Sequence, residues 1–203
     1  MGSKIKKILS FITGLFLMIF FSFIYSCSPS GILATSGGTA MVVAEGDRSL
    51  GTVVDDATIK VNISAKFLDA GNNLFININT TVLEGRVLLT GLVNNQEERI
   101  EAVRLVWEVE GITEIINEIE IGNRESIKDY ANDLWINTQA KGLAAKTIGL
   151  RSVGYNFETI KGKIYVAGIT SKPDQLEELV NALKTIKGVK EIVNYVIVVE
   201  ASS

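Results

Sequence analysis

The chain has 203 residues, 47% of them hydrophobic, with 20 Lys and Arg against 23 Asp and Glu, a formal net charge of −3, no His and one Cys. The absence of His removes the commonest general base and the commonest metal ligand, and a single Cys excludes an intramolecular disulfide framework or a Cys-cluster metal site. Enough apolar material remains for one large core or two small ones.

Residues 1–26 read as a signal peptide. Lys4, Lys6 and Lys7 precede an apolar run of 18 residues, Ile8 to Tyr25, interrupted only by Ser10, Thr13, Gly14 and Ser22. That length is at the lower edge of a membrane span. Ile24-Tyr25-Ser26-Cys27 follows and resembles the lipobox of bacterial lipoproteins, although Tyr25 departs from the small residue usual at −2. The resemblance implies acylation of Cys27, and two or more acyl chains hold a protein on a membrane where one is marginal. An uncleaved anchor with an incidental Cys is the competing reading. Residues 27–54 are the lipidated Cys and a tether, rich in Ser, Gly, Ala and Thr through Gly46. Ser28 at the +2 position favours the outer membrane, by a convention carried over from lipoproteins generally.

The rest of the chain repeats itself. Leu83-Glu84-Gly85-Arg86-Val87-Leu88-Leu89-Thr90-Gly91 aligns with Ile160-Lys161-Gly162-Lys163-Ile164-Tyr165-Val166-Ala167-Gly168, an offset of 77 that also takes Asp56 to Asp133, Gly111 to Gly188 and Asn117 to Asn194. Each copy opens with a helix, Asp55 to Phe67 with Ile59, Ile63 and Phe67 at four-residue steps, and its counterpart with Ile136, Ala140 and Ala144. Asp55-Asp56 suits the positive end of that helix dipole. Two strands come next, near 74–83 and 87–92, then near 152–160 and 164–169, joined at Glu84-Gly85-Arg86 and Lys161-Gly162-Lys163 as hairpin turns. Val87 and Leu89 should alternate with less buried neighbours. Asn94 to Glu97 and Ser171 to Asp174 resemble capping boxes for a second helix that ends at Gly111 or Gly188. A last strand carries Ile115, Ile119 and Ile121, or Ile192, Val196 and Val198.

Each copy is thus helix–strand–strand–helix–strand, and the expected fold class is α+β: two tandem modules, each a three-stranded mixed sheet with two helices on one face. The domains run 55–121 and 132–199 with a linker at 122–131. Modules of about 65 residues are near the lower limit for a self-supporting core, so packing of one on the other is expected.

The hairpin from Glu84 to Gly91 and the segment with Gly111, Ile112, Ile115, Asn117 and Ile119, both repeated 77 residues on, resemble the BON domain. Asp47 to Asp56 and Asn132 to Thr138 also resemble the openings of the two domains in dual-BON lipoproteins. The resemblance implies a lipid-anchored outer-membrane protein facing the periplasm, acting in envelope integrity. It also implies that the first helix of the second domain recognises anionic phospholipid.

The residues support part of this independently. Residues 55–121 hold five Lys and Arg against twelve Asp and Glu, a net of −7, while residues 132–199 hold nine against six, a net of +3. Only the second copy is attracted to an anionic surface, at about 1 kcal/mol per basic residue close to it. Where the first copy has Ala57-Thr58, the second has Leu134-Trp135 beside core position Ile136. Adjacent helical residues point about 100° apart, so Trp135 cannot share the core direction with Ile136. An exposed Trp suits a membrane interface. Tyr130, Leu134, Trp135, Thr138 and Lys141 are therefore the candidate phospholipid-binding residues, with packing of Trp135 against the other module as the competing reading. Trp107, whose counterpart is Lys184, is expected in a core or an interface. Asn117 and Asn194 are read as bonding local backbone, and the run Glu97, Glu98, Glu101, Glu108, Glu110 and Glu114 as a solvated face that could also repel a membrane.

No catalytic residue, metal ligand or cofactor is expected: no Gly-rich phosphate loop precedes a helix, and no carboxylate pair stands apart from surface charge. The expected partners are an anionic phospholipid membrane and, in a second reading, outer-membrane assembly proteins docking on the acidic module. Neither nucleic acid nor a small-molecule substrate is expected, since the charge balance opposes a polybasic surface.

Overall fold

The four-residue apolar steps of each opening segment produce long helices in the structure, a computed structural model that describes residues 50–122 and 127–200. Helix α1 spans Leu50–Ala70 and buries Ile59, Ile63 and Phe67. A short helix, α2, follows at Asn72–Asn77, then strands β1 (Ile78–Leu83) and β2 (Arg86–Val93), helix α3 (Gln96–Trp107) and strand β3 (Glu114–Ile121). The second copy has helix α4 (Ile127–Ile148), a 3-10 turn at Gly149–Gly154, strands β4 (Asn156–Ile160) and β5 (Lys163–Thr170), helix α5 (Pro173–Leu183) and strand β6 (Glu191–Val198). Cys27, the signal segment and most of the tether lie outside the described residues.

Several boundaries differ from the sequence reading. The second helix of each copy stops at Trp107 or Leu183, capped by Glu108 or Lys184 in right-handed conformation, so Gly111 and Gly188 belong to the turn that follows and not to the helix end. Both opening helices begin earlier, at Leu50 and Ile127, so part of the expected tether and part of the expected linker are helical. Their first turns contribute little to the core, which leaves the apolar period silent there. Residues 72–77 and 149–154, expected at strand starts, are helical turns that reverse the chain; Leu74 is buried while Phe75 and Ile76 stay exposed. The first capping box sits one residue later than read: Asn95 accepts the Glu98 N–H at 2.8 Å, and Glu98 accepts the Asn94 N–H at 3.0 Å. In the second copy Lys172 occupies the cap position without a side-chain bond, and Pro173 opens the helix.

Each sheet has the order first, second, third strand, with the first pair antiparallel and the second parallel. Leu83 pairs with Arg86 and Ile160 with Lys163, so each hairpin loop has two residues. Glu84 (φ 55) and Gly85 (φ 75), like Lys161 (φ 50) and Gly162 (φ 81), are both left-handed, as a type I′ turn requires. A carboxylate holds each turn. Asp56 accepts the Glu84 and Gly85 amides at 2.9 and 3.0 Å, and Asp133 accepts those of Lys161 and Gly162, both at 2.8 Å. Both Asp residues are buried. Because α1 starts at Leu50, Asp56 is past the first turn, and its work is to anchor the hairpin rather than to complement a helix dipole.

The two helices of each module cover one sheet face. The first core joins Ile63 and Phe67 to Val87, Leu89, Ala102 and Val106; the second joins Ile136 and Ala140 to Ile164, Val166, Leu179 and Leu183. The other sheet faces meet each other, sharing an apolar seam of Leu83, Leu88, Ala167 and Ile169. Val87 and Leu89 therefore do not alternate with exposed neighbours: Leu88 is buried by the second module. Polar bonds cross the seam, from the Tyr195 hydroxyl to Glu118 at 2.5 Å and from Asn79 to Glu158 at 2.9 Å, with Lys163 3.4 Å from Glu120. Glu118 and Tyr195 are repeat equivalents, 77 residues apart. Contact between equivalents is what a pseudo-two-fold relation between the modules produces.

Candidate functional site

Helix α4 divides sharply around its axis. Asp133, Ile136, Ala140, Ala144 and Ile148 are buried, holding the turn and filling the second core. On the outer side Leu134 is 55% exposed, Tyr130 50% and Trp135 46%. The spacing of Tyr130, Leu134, Thr138 and Lys141 stacks them along one stripe of the helix, and Trp135 projects about 100° further round. The structure thus brings four of the five candidates into one line and places the indole on the flank beside it. Trp135 is not enclosed between the modules.

The polar members of this face differ in what they can offer. The Thr138 hydroxyl donates to the Leu134 carbonyl at 2.8 Å, so its proton is used within the helix. Lys141 is exposed and lines a cleft of about 310 Å³ where the modules meet, together with Lys60, Ser64 and Phe75 of the first module and Glu158 and Tyr165 of the second. This cleft, formed by residues far apart in sequence, was invisible to a reading along the chain. Among the described residues no three His, Cys, Asp or Glu side chains gather as a metal site.

The charge difference between the modules is partly spent at their seam. Burial pulls the Lys163 ammonium down, but nearby Tyr165, Glu120 and Glu191 together carry it above its ordinary value. Burial pushes the Tyr165 hydroxyl up to about 12, and burial with the bond to Glu118 does the same for Tyr195. The remaining acids of the first module behave as a solvated face with local ion pairs: Glu108 bonds Lys66 at 2.7 Å, and Arg104 bonds Glu101 at 2.6 Å. The bond to Arg104 holds the Glu101 carboxyl below its usual range.

Asn117 and Asn194 do bond local backbone, accepting the Ile119 and Val196 amides at 3.1 and 3.0 Å. Both lie within edge strands, so each side chain occupies an amide on an open sheet edge. Trp107 departs from expectation: it is 56% exposed, in neither core nor the seam. Sequence reasoning also missed the turn-anchoring role of Asp56 and Asp133, although their recurrence at the repeat offset was a usable signal.

Comparison with known proteins agrees with this architecture. The BON domain family model matches residues 55–123 and 132–200. The chain is similar to an "Uncharacterized protein in gshII 5'region" of Anaplasma centrale, 35% identical over 144 residues, covering 70% of this chain and 94% of that one. It is 27% identical over 158 residues to "Outer membrane lipoprotein DolP" of Haemophilus influenzae, covering 77% and 81% of the two chains. To "Osmotically-inducible protein Y" of Escherichia coli it is 28% identical over 149 residues, covering 71% and 73%.

Proposed function

Because this chain belongs to the BON domain family and carries the module twice, we propose that it is a non-catalytic envelope lipoprotein that binds anionic phospholipid through the outer face of α4. In this reading Cys27 carries the acyl anchor in the outer membrane, the two modules face the periplasm, and the protein supports the integrity of the membrane it touches. Similarity to an outer-membrane lipoprotein favours that location.

One observation carries the lipid reading: an exposed indole and an exposed Leu side by side on the leading helix of the basic module. Trp135 would sit in the acyl boundary with its N–H toward the headgroups. Leu134 and Tyr130 would add apolar contact, Thr138 would present its oxygen as an acceptor, and Lys141 would meet phosphate. The test is sedimentation of an unacylated form with anionic liposomes. Trp135→Ala or Lys141→Glu should release the protein while the fold persists; for the charge reversal, loss of one attraction and gain of one repulsion amounts to roughly 2 kcal/mol, about thirtyfold. Sedimentation unchanged in both variants would rule the reading out.

A further inference from the structure

The acidic module carries its own exposed apolar pair. On α3, Ile100 is 58% exposed and Trp107 56%, seven residues apart on one flank, with half-buried Val103 between them. The flank is identifiable. Glu98 and Glu101 line a small cleft with Ala70 and Leu74, and Glu108 bonds Lys66, so that side of α3 faces α1 and α2. Ile100 and Trp107 lie on the outer face of the helix, opposite the buried Ala102, Leu105 and Val106.

The second module shows that the fold does not require this pair. At the equivalent positions the second module has Glu177 on α5 and Lys184 at its C-cap, both exposed, while Val103 and Val180 keep the same half-buried place. An exposed Trp and Ile held on one twin and absent from the other mark a contact surface. Its surroundings state what it contacts. The module has a net charge of −7, Glu97 is exposed one turn before Ile100, and Arg104, between Ile100 and Trp107 on the helix, is already paired with Glu101 and Glu108. Anionic lipid is repelled there and a cationic partner is drawn in.

We infer that Ile100 and Trp107 form a docking site for a cationic amphipathic segment of a protein, separate from the lipid-facing helix of the second module. The full chain in zwitterionic nanodiscs would be titrated into a labelled amphipathic peptide of Leu and Lys, and peptide anisotropy read. Matched Ser/Lys and Leu/Glu peptides test charge alone and apolar contact alone. The decisive variant transplants the twin's residues, Ile100→Glu with Trp107→Lys, which leaves net charge unchanged and is accommodated by the same fold in the other module. Binding of the Leu/Lys peptide, weakened at least tenfold by the double substitution and much weaker for the other two peptides, is the expected result. No binding of the Leu/Lys peptide, equal binding to the double variant, or equal binding of the Ser/Lys peptide would each overturn the inference.

Discussion

Asp56 and Asp133 make the same pair of bonds, each carboxylate accepting the two amides of its own hairpin turn. Two residues further along the same helices, Thr58 and Trp135 stand at equivalent places and share nothing. The first bonds its own helix backbone, and the second holds an indole half out in solvent. The contrast between twins separates two kinds of constraint. Positions that recur unchanged hold turns, cores and edges; exposed positions that diverge, Trp135 on one module and Trp107 on the other, are free of the fold and available to function.

The largest expected effects fall on the shared framework. Asp133→Ala strips two turn amides of their acceptor, one of them buried, and should cost roughly 3–5 kcal/mol in chemical denaturation. Asp56→Ala should cost the same to within about 1 kcal/mol, since the geometry is duplicated; a loss below that size in either would remove the turn-anchor assignment. Glycines sharpen the comparison further. Gly91 has φ +149, and a Cβ there would meet the Asn77 carbonyl oxygen at 2.2 Å, whereas at its twin Gly168 the nearest atom is the Gly154 oxygen at 3.1 Å. Gly91→Ala should therefore destabilise the protein much more than Gly168→Ala, by about 3 kcal/mol against 1. Equal melting temperatures would contradict the difference in backbone approach.

Much of this architecture was legible along the chain because the repeat allowed each copy to check the other. The apolar stripes of Ile59, Ile63 and Phe67 and of Ile136, Ala140 and Ala144 and the glycine-centred hairpin turns announce themselves through local chemistry, whereas the left-handed Gly111 and Gly188 lie beyond the helix ends they were read to mark. The exposure of the α4 face followed from the angle between Trp135 and Ile136. What the chain concealed were the contacts between modules. Leu88 reads as a solvent-side strand position until a second sheet covers it, and Glu118 reads as surface acid until Tyr195 reaches it. Trp107 is in neither core nor seam, since its divergence from Lys184 carries no information about burial and α3 already fills its core with Ala102, Leu105 and Val106.

The seam yields the smallest predictions. Tyr195→Phe removes one charge-assisted bond to Glu118 and should cost about 1–2 kcal/mol. In the wild type, Tyr165 and Tyr195 have hydroxyls raised to about 12, above the value of about 10 expected when unfolded. Their contribution is fully present below pH ~10 and is lost as pH rises through about 12, because the unfolded chain ionises first. Absorbance at the tyrosinate band should show a late-titrating fraction that shrinks in Tyr195→Phe. A titration complete near pH 10 would place both hydroxyls in solvent.

The division of labour between the twins can be read from their two indoles. In anionic vesicles containing brominated lipid, a Trp107→Phe variant reports only Trp135 and a Trp135→Phe variant only Trp107. Quenching of Trp135 emission, with Trp107 unaffected, is the predicted result. Quenching of Trp107 alone, or of both to the same extent, would contradict the assignment of lipid contact to α4.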